Sequence, residues 1–500
     1  MLEKYFAQFR QHIVGQNLKH VINGQQKDIL YADWTASGRL YQPIEDFLSN
    51  KLGPYVANTH TETSLTGSTM TQAYHDAQHI IKAHVNASDT DALICSGSGM
   101  TTVVNKLQRM LGLRVPEQFQ QQCELPEQQK PVVFITHMEH HSNQTTWNAC
   151  NVTVVVLAKT AEGQPCQLDL TNKLRQYAER PMKIGSFTAC SNVTGIKTDY
   201  HALAKVMHQH GGICFVDFAC SAPYVDINMH PHDPEQKLDA IFFSPHKFLG
   251  GPSSSGVLVF DKTLYANKIP DQPGGGTVTW TNPWGEQGFF DDIETREDGG
   301  TPGFLQTIRV ALAIKLKEQM GVDNIKQREN ELTDILMTGM NQIPGVEILE
   351  KDITERLCIV SFYVVDLHYN LIVRLLNDKF GIQSRGGCSC AGTYGHILLN
   401  VDKNTSQGIT NKIDHGDLSE KPGWVRLSLH PTSTNQEAHF VVDSLRKVID
   451  NAKLWSEEYE FDIISADFKP KHQTTELLSL EQFDCLQVKT KPSVLSRLFG

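Results

Sequence analysis

The chain reads as an α/β protein: a large domain on a mostly parallel sheet covered by helices on both faces, followed by a smaller α+β domain. Three observations predict this. Short apolar, β-branched runs recur between stretches of helical periodicity, and Gly, Asn and Asp mark their ends. Polar residues able to do chemistry sit just after these runs, where parallel sheets present ligands at the carboxyl ends of their strands.

Taken in order, Met1 to Gly15 sets Leu2, Tyr5, Phe6, Phe9 and Ile13 at helical spacing beside Lys4, Arg10 and His12, an amphipathic helix and not a signal peptide. Strands are predicted over 92–95, 132–135, 152–157, 184–187, 213–216, 239–243 and 256–260. Leu305 to Met320 reads as a connecting helix, Leu357 to Val365 as a strand, Leu367 to Asp378 as a helix and Trp424 to Ser428 as a strand. Asn400 to Pro422 is polar and broken by Gly408, Gly416 and Pro422, so a long loop is expected there. The resulting division is an N-terminal segment 1–45 packing with the small domain, a large domain 46–303, a small domain 304–465 and a tail 466–500 of little periodicity.

With 40% hydrophobic and 20% charged residues, 500 residues suffice for two or three globular domains. A net charge of -11 without a long basic run excludes a nucleic-acid-binding role, which needs clustered Lys and Arg. Nothing approaches the roughly 20 apolar residues that span a bilayer, so a soluble, cytoplasmic protein is expected, with no membrane partner. The eleven cysteines are scattered and odd in number, which favours reduced thiols. Cys388-Ser389-Cys390 has no second pair to complete a zinc site, and no metal is expected.

Ser244-Pro245-His246-Lys247 follows the apolar run Asp239 to Phe243 and runs into Gly250-Gly251. A lysine there is partly desolvated, which lowers its pKa and suits a Schiff base with an aldehyde cofactor, while Ser244 and His246 suit a phosphate; a lysine capping a strand end is the plainer reading. Asp217, at the end of 213–216, suits a protonated pyridine nitrogen, or a simple helix cap. Ser96-Gly97-Ser98-Gly99-Met100-Thr101-Thr102 opens a helix and suits a phosphate cradle or an ordinary capped helix; it lacks the third glycine of a dinucleotide fingerprint. Glu139-His140-His141-Ser142-Asn143 suits a ring stacked on a flat cofactor, or merely a polar surface. Arg385-Gly386-Gly387-Cys388-Ser389-Cys390-Ala391-Gly392 reads as a flexible loop carrying a nucleophilic thiol beside a cation, or a turn with two half-buried thiols. Arg426 suits a clamp on a carboxylate, with an internal Asp or Glu as the alternative partner.

Together these motifs resemble the class V branch of the fold type I pyridoxal-phosphate enzymes, in the group of cysteine desulfurases and selenocysteine lyases, over roughly residues 25 to 460. The resemblance rests on their order: a Gly-x-Thr phosphate loop, Glu-His-His-x-Asn, Ser191-Asn192-x-x-Gly195, Val216-Asp217-x-Ala219, Ser-x-His-Lys, Gly-Thr-Pro and Arg-x-Gly-x-x-Cys-Ala. It implies a seven-stranded sheet in the large domain and pyridoxal 5'-phosphate as cofactor. It makes Lys247 the Schiff-base lysine, Asp217 the partner of the ring nitrogen and His140 the stacked histidine, in preference to His141. Asn192 would lie near the cofactor hydroxyl and the substrate carboxylate. Phosphate contacts are implied for Thr101, the Gly99 and Met100 backbone, Ser244, His246, and Thr301 of a neighbouring subunit, hence a homodimer. Arg426 would anchor an amino-acid substrate, with Arg385 close by, and Cys390 would form a persulfide as L-cysteine becomes L-alanine, with a sulfur-acceptor protein as a further partner. The rival reading is another class V transferase or lyase activity, an aminotransferase, amino-acid lyase or epimerase, with Cys388 and Cys390 incidental. Two departures bear on the substrate: Cys220 stands where the family places glutamine, and Cys388-Ser389 replaces histidines before a lengthened 400–422 connection.

Overall fold

The structure, a computed structural model, describes residues 1–59, 61–472, 475 and 477–483. Seven strands form the central sheet: β1 (Asp91–Ser96), β2 (Val132–Ile135), β3 (Thr153–Val156), β4 (Lys183–Thr188), β5 (Ile213–Asp217), β6 (Ala240–Phe243) and β7 (Gly256–Asp261), in the spatial order β1-β7-β6-β5-β4-β2-β3. The run from β6 to β3 is parallel, and β7 alone is antiparallel, to both of its neighbours. Side chains alternate along each strand, so each strand feeds two cores. Phe134, Val216 and Phe243 enter one core, while Val133, Phe215 and Phe242 enter the other. Burial on both faces is why these runs read as continuously apolar.

The parallel strands all end on the same side, and their following loops meet there. Close backbone packing fixes the turn after β6. Gly38 N–H donates to the His246 carbonyl at 2.9 Å and Gly250 N–H to the Arg39 carbonyl at 2.7 Å. A Cβ on Gly38 would stand 1.9 Å from the Phe248 carbonyl oxygen, and one on Gly251 1.9 Å from that of Pro245. Only glycine permits that approach.

Helix Phe304–Met320 packs along Leu65–His84 through Ile308, Ala311, Met70 and Ala77. Beyond it lies a four-stranded antiparallel sheet in the order Val346–Ile348, Ile359–Val364, Trp424–Ser428, Arg385–Gly387. The N-terminal helix Leu2–Arg10 buries Phe6 and Phe9, and its Arg10 forms a two-pronged ion pair with Glu437 at 2.6 and 2.8 Å. Leu30–Tyr31 pairs in parallel with Ile382–Gln383.

One expectation fails. The segment 400–422 holds a helix, Lys403–Asp414, capped by Asp402, whose carboxylate accepts the Thr405 N–H at 2.8 Å. None of its side chains is buried, so it has no apolar stripe for a periodicity reading to find. Asp467–Pro470, inside the segment read as tail, pairs antiparallel with Tyr459–Asp462; most of the remaining tail lies outside the described residues.

These features predict opposite signs for two glycine substitutions, read as urea unfolding midpoints. Gly251→Ala is expected to destabilise by about 1–3 kcal/mol through overpacking. Gly408→Ala, in the exposed helix with nothing near its Cβ position, is expected to stabilise by up to about 1 kcal/mol. No gain there would argue against the helix.

Candidate active site

The loops after β1, β2, β4, β5 and β6 line one cavity of about 220 Å3 together with residues of the smaller sheet. Lys247 lies in it, on a tight turn (Pro245–Lys247) that Pro245 opens and whose Lys247 N–H returns to the Ser244 carbonyl. Burial lowers its pKa below the ordinary lysine range. Cys220 and Asp217 pull the value up, and Arg426 and Arg385 push it down. Asp217 ends β5, is 3% exposed, and has its pKa raised to about 6 by burial, against the Ala219 N–H that donates to it at 2.7 Å. A buried carboxyl in that state gains from a cationic N–H partner.

The helix Met100–Met110 has no side-chain cap at its N-terminus. Its Met100 N–H donates to Ser244 Oγ at 2.9 Å, so the ends of β1 and β6 are joined at the cradle. Thr101 Oγ1 and Ser142 Oγ share a hydrogen bond of 2.7 Å beside it, and His246, its pKa lowered to about 4 by burial and by Lys247, lines the same wall. A Cβ on Gly256 would stand 2.3 Å from the Gly99 carbonyl oxygen, which explains a glycine at the start of β7. Hydroxyls gathered at a helix N-terminus make this a place for a phosphate.

His140 lines the cavity, whereas His141 turns away to accept the Gly392 N–H at 2.9 Å. Burial, then the Lys247 charge, drive the His140 pKa down to about 3. The ring is neutral, and because Nδ1 accepts the Ser142 N–H at 3.1 Å its proton sits on Nε2. Asn192 donates through Nδ2 to the Ser389 carbonyl at 2.7 Å, and its buried Oδ1 has no partner among the described residues. An orphaned acceptor, a flat neutral ring, a buried acid, an uncapped helix end and a desolvated amine together fit pyridoxal phosphate. Lys247 would hold its aldehyde, Asp217 its ring nitrogen, Asn192 its hydroxyl, and Thr101, Ser244 and His246 its phosphate.

The cysteine loop is hydrogen-bonded to its surroundings at several points. The Cys390 carbonyl accepts the His141 N–H at 2.7 Å, Trp424 Nε1 donates to Ser389 Oγ at 3.1 Å, and Thr393 Oγ1 bonds Gln144 Oε1 at 2.9 Å. Ser389 and Cys390 both take the left-handed conformation, with φ of 51° and 56°. That costs non-glycine residues about 1–3 kcal/mol each, a strain these tethers offset. Cys390 is exposed and lines the cavity; Cys388 does not. Cys220 is also in the wall, with its thiol turned to the Cys190 carbonyl at 3.0 Å, so no amide contact replaces the family glutamine from this position. Thr301 is exposed and outside the cavity.

Sequence reasoning missed two residues. Register sets Arg385 directly opposite Arg426, and Asp33 stands between them, its Oδ2 taking Arg385 Nε at 3.0 Å and its Oδ1 taking Arg426 Nη2 at 2.7 Å. Arg426 therefore has the internal partner left open as an alternative, while its buried Nε stays unpartnered among the described residues. Glu139, 1% exposed, receives the Thr188 N–H at 2.8 Å, the Thr136 hydroxyl at 2.7 Å and Asn143 Nδ2 at 2.8 Å, which fixes the loop that carries His140. Burial raises its pKa to about 8.

Removing the carboxylate between the arginines leaves more positive charge near Lys247. In Asp33→Asn, its amine is expected to titrate lower still than in the unaltered protein. Reductive methylation of Lys247 across pH, followed by mass spectrometry of the cofactor-free protein, reads this. An unchanged midpoint would show that the arginine field does not reach the amine.

Comparison with known proteins gives the family. A "Probable cysteine desulfurase" of Staphylococcus aureus (strain Mu50) is 28% identical over 378 residues, 75% of this chain and 85% of that protein. One of Staphylococcus epidermidis is 29% identical over 371 residues, 73% of this chain and 84% of that protein. In fold, the chain is similar to the cysteine desulfurase of Thermococcus onnurineus NA1 (TM-score 0.70, 20% identity, 89% and 98% covered) and to CsdA of Escherichia coli (TM-score 0.66, 19% identity, 89% and 98% covered). The aminotransferase class-V model matches residues 30–441, a span containing every cavity residue named above, and the chain belongs to that family of enzymes.

Proposed function

We propose that this chain is a pyridoxal-phosphate-dependent cysteine desulfurase, converting L-cysteine to L-alanine and leaving the sulfur on Cys390. The observation that carries the reading is an exposed thiol, Cys390, lining the same cavity as Lys247, Asp217 and Arg426.

Pyridoxal phosphate, when bound, supplies an aldehyde that condenses with amines and a protonated ring that withdraws electrons from the substrate α-carbon. The residues do the rest. Lys247, its amine freed by burial, holds the aldehyde, is displaced by the substrate amine, and then takes the α-proton on Nζ as a general base. Asp217 keeps the proton on the ring nitrogen, and His140 offers a neutral ring with an Nε2–H. Arg426 meets the substrate carboxylate through guanidinium N–H groups that Asp33 and the Asn192 carbonyl leave free. Cys390, as thiolate, attacks the substrate sulfur. The C–S bond breaks, its electron pair stays with the substrate carbon and takes up a proton, and Cys390 keeps the sulfur as a persulfide. The same reading makes the working unit a homodimer, with Thr301 reaching the phosphate of a neighbouring copy, and passes the persulfide sulfur to an acceptor protein.

With pyridoxal phosphate the purified protein is expected to show a visible absorbance band that Lys247→Ala abolishes. With L-cysteine it should yield alanine and reducible sulfur in equal amounts, and Cys390→Ala should lower turnover at least about 100-fold, the order of loss for an essential nucleophile, whereas Cys388→Ala should keep most of it. Alanine formed at an unchanged rate in Cys390→Ala would sink the persulfide step. Turnover that needs a keto-acid acceptor would point instead to an aminotransferase.

A further inference from the structure

Behind the catalytic cavity lies a second one, of about 300 Å3. Its walls come from distant segments: Lys197, Thr198, Ser221 and Tyr224 on one side, and Glu329 of the helix Val322–Asn341 with Arg356 on the other. The two cavities are back to back, because Ala189 and Ser221 of the second adjoin Cys190 and Cys220 of the first.

Three polar atoms in these walls are buried and have no hydrogen-bond partner among the described residues: Thr198 Oγ1, Ser221 Oγ and Glu329 Oε2. Their residues are 5%, 1% and 2% exposed. Such atoms cost free energy unless something bonds them, and three around one cavity is a built arrangement and not scattered loss.

The sign of the missing partner follows from the charges. Arg356 is 1% exposed, and its guanidinium bonds the carbonyls of Ile353, Thr194, Leu349 and Glu350, with no carboxylate paired to it among the described residues. Carbonyls satisfy its N–H groups, but the carboxylate that acts on it, Glu350, is ion-paired to Lys159, so a buried charge is left without a counter-ion of its own. Lys197 adds a second cation, whose ion pair among the described residues is with the exposed Glu355 at 3.7 Å. Glu329 makes no ion pair among the described residues, and burial pushes its pKa up to about 8 even with the Lys197 charge near it, which makes it a poor counter-ion for these cations. The carboxylates in the lining, Asp226 and Asp323, are exposed at the mouth, as is Lys326. Tyr224, Val225 and Leu357 add apolar surface for a carbon body larger than a bare inorganic anion.

We infer that this cavity is a second ligand site, which takes a small organic carboxylate with an apolar body and stands apart from the amino-acid site.

Isothermal titration of the purified full-length protein with benzoate, and with benzyltrimethylammonium as a cationic probe of the same ring that cannot condense with an aldehyde, tests this. Benzoate is expected to bind saturably at one site and benzyltrimethylammonium not to. Lys197→Met and Thr198→Val should each weaken benzoate, together at least about tenfold, roughly 1.4 kcal/mol. Lys326→Met, on an exposed residue whose replacement leaves folding intact, should weaken it by a smaller measurable factor. Arg426→Lys, in the catalytic cavity, should leave it unchanged. The inference is overturned if benzoate gives no saturable binding, if benzyltrimethylammonium binds as well, if all three variants of the second cavity bind like the unaltered protein, or if Arg426→Lys alone removes the binding.

Discussion

Two guanidiniums set face to face across an antiparallel register repel unless a carboxylate stands between them. In this chain that carboxylate is Asp33, and much of the catalytic cavity depends on it. It fastens Arg385 and Arg426, the facing residues of two strands in the smaller sheet, to an N-terminal segment whose Thr35 N–H bonds Ser428 Oγ at 2.9 Å. Arg426 Nη1 in turn holds the Asn192 carbonyl at 3.1 Å, and Asn192 Nδ2 holds the Ser389 carbonyl of the cysteine loop. The chain of contacts from Asp33 thus reaches the loop after β4 and the loop that carries Cys390. The carboxylate is 8% exposed and pairs with two cations, the condition under which a buried charge is stable.

The two arginines that Asp33 pairs with both bear on Lys247. Burial and the two arginines favour the neutral amine, while Asp217 and Cys220 favour the ammonium. An amine that must act both as nucleophile and as base works best when neither side dominates. Asp217 shows the complementary effect: at the end of a strand buried on both faces, its charge is costly until a cationic N–H faces it. The neutral His140 adds no further charge. Pyridoxal phosphate, which these residues fit, would relieve the unfavourable burial of each of these groups.

What was legible in the sequence, and what was not, follows the range of the interactions. Strands β1, β2, β4, β5, β6 and β7 were readable because both faces of each are buried, so the run itself is apolar, and the loops that follow carry Lys247, Asp217, Thr101 and His140 close to those runs. Family resemblance then supplied the roles that spacing alone left open. Asp33 was not readable, because it lies 352 residues from Arg385 and 393 from Arg426, and only strand register brings them together. The helix Lys403–Asp414 escaped for the opposite reason: local capping makes it, and no buried face marks it.

The second cavity belongs to the illegible class, and its chemistry explains why. Thr198, Ser221, Glu329 and Arg356 are unremarkable residues in sequence, with no motif or spacing among them. Their meaning comes from what the fold leaves unpaired. In the catalytic cavity, the orphaned Asn192 Oδ1 has an evident occupant, because its neighbours form a pattern of known chemistry. In the second, the orphaned atoms and an Arg356 with no ion-paired carboxylate among the described residues point to an occupant by sign and size alone. A wall formed by Cys190 and Cys220 separates the two, and the Cys220 thiol bonded to the Cys190 carbonyl at 3.0 Å makes that wall continuous. Anything that shifts Ser221 or Ala189 must move the residue next to it, and that residue faces Lys247 on the other side of the wall.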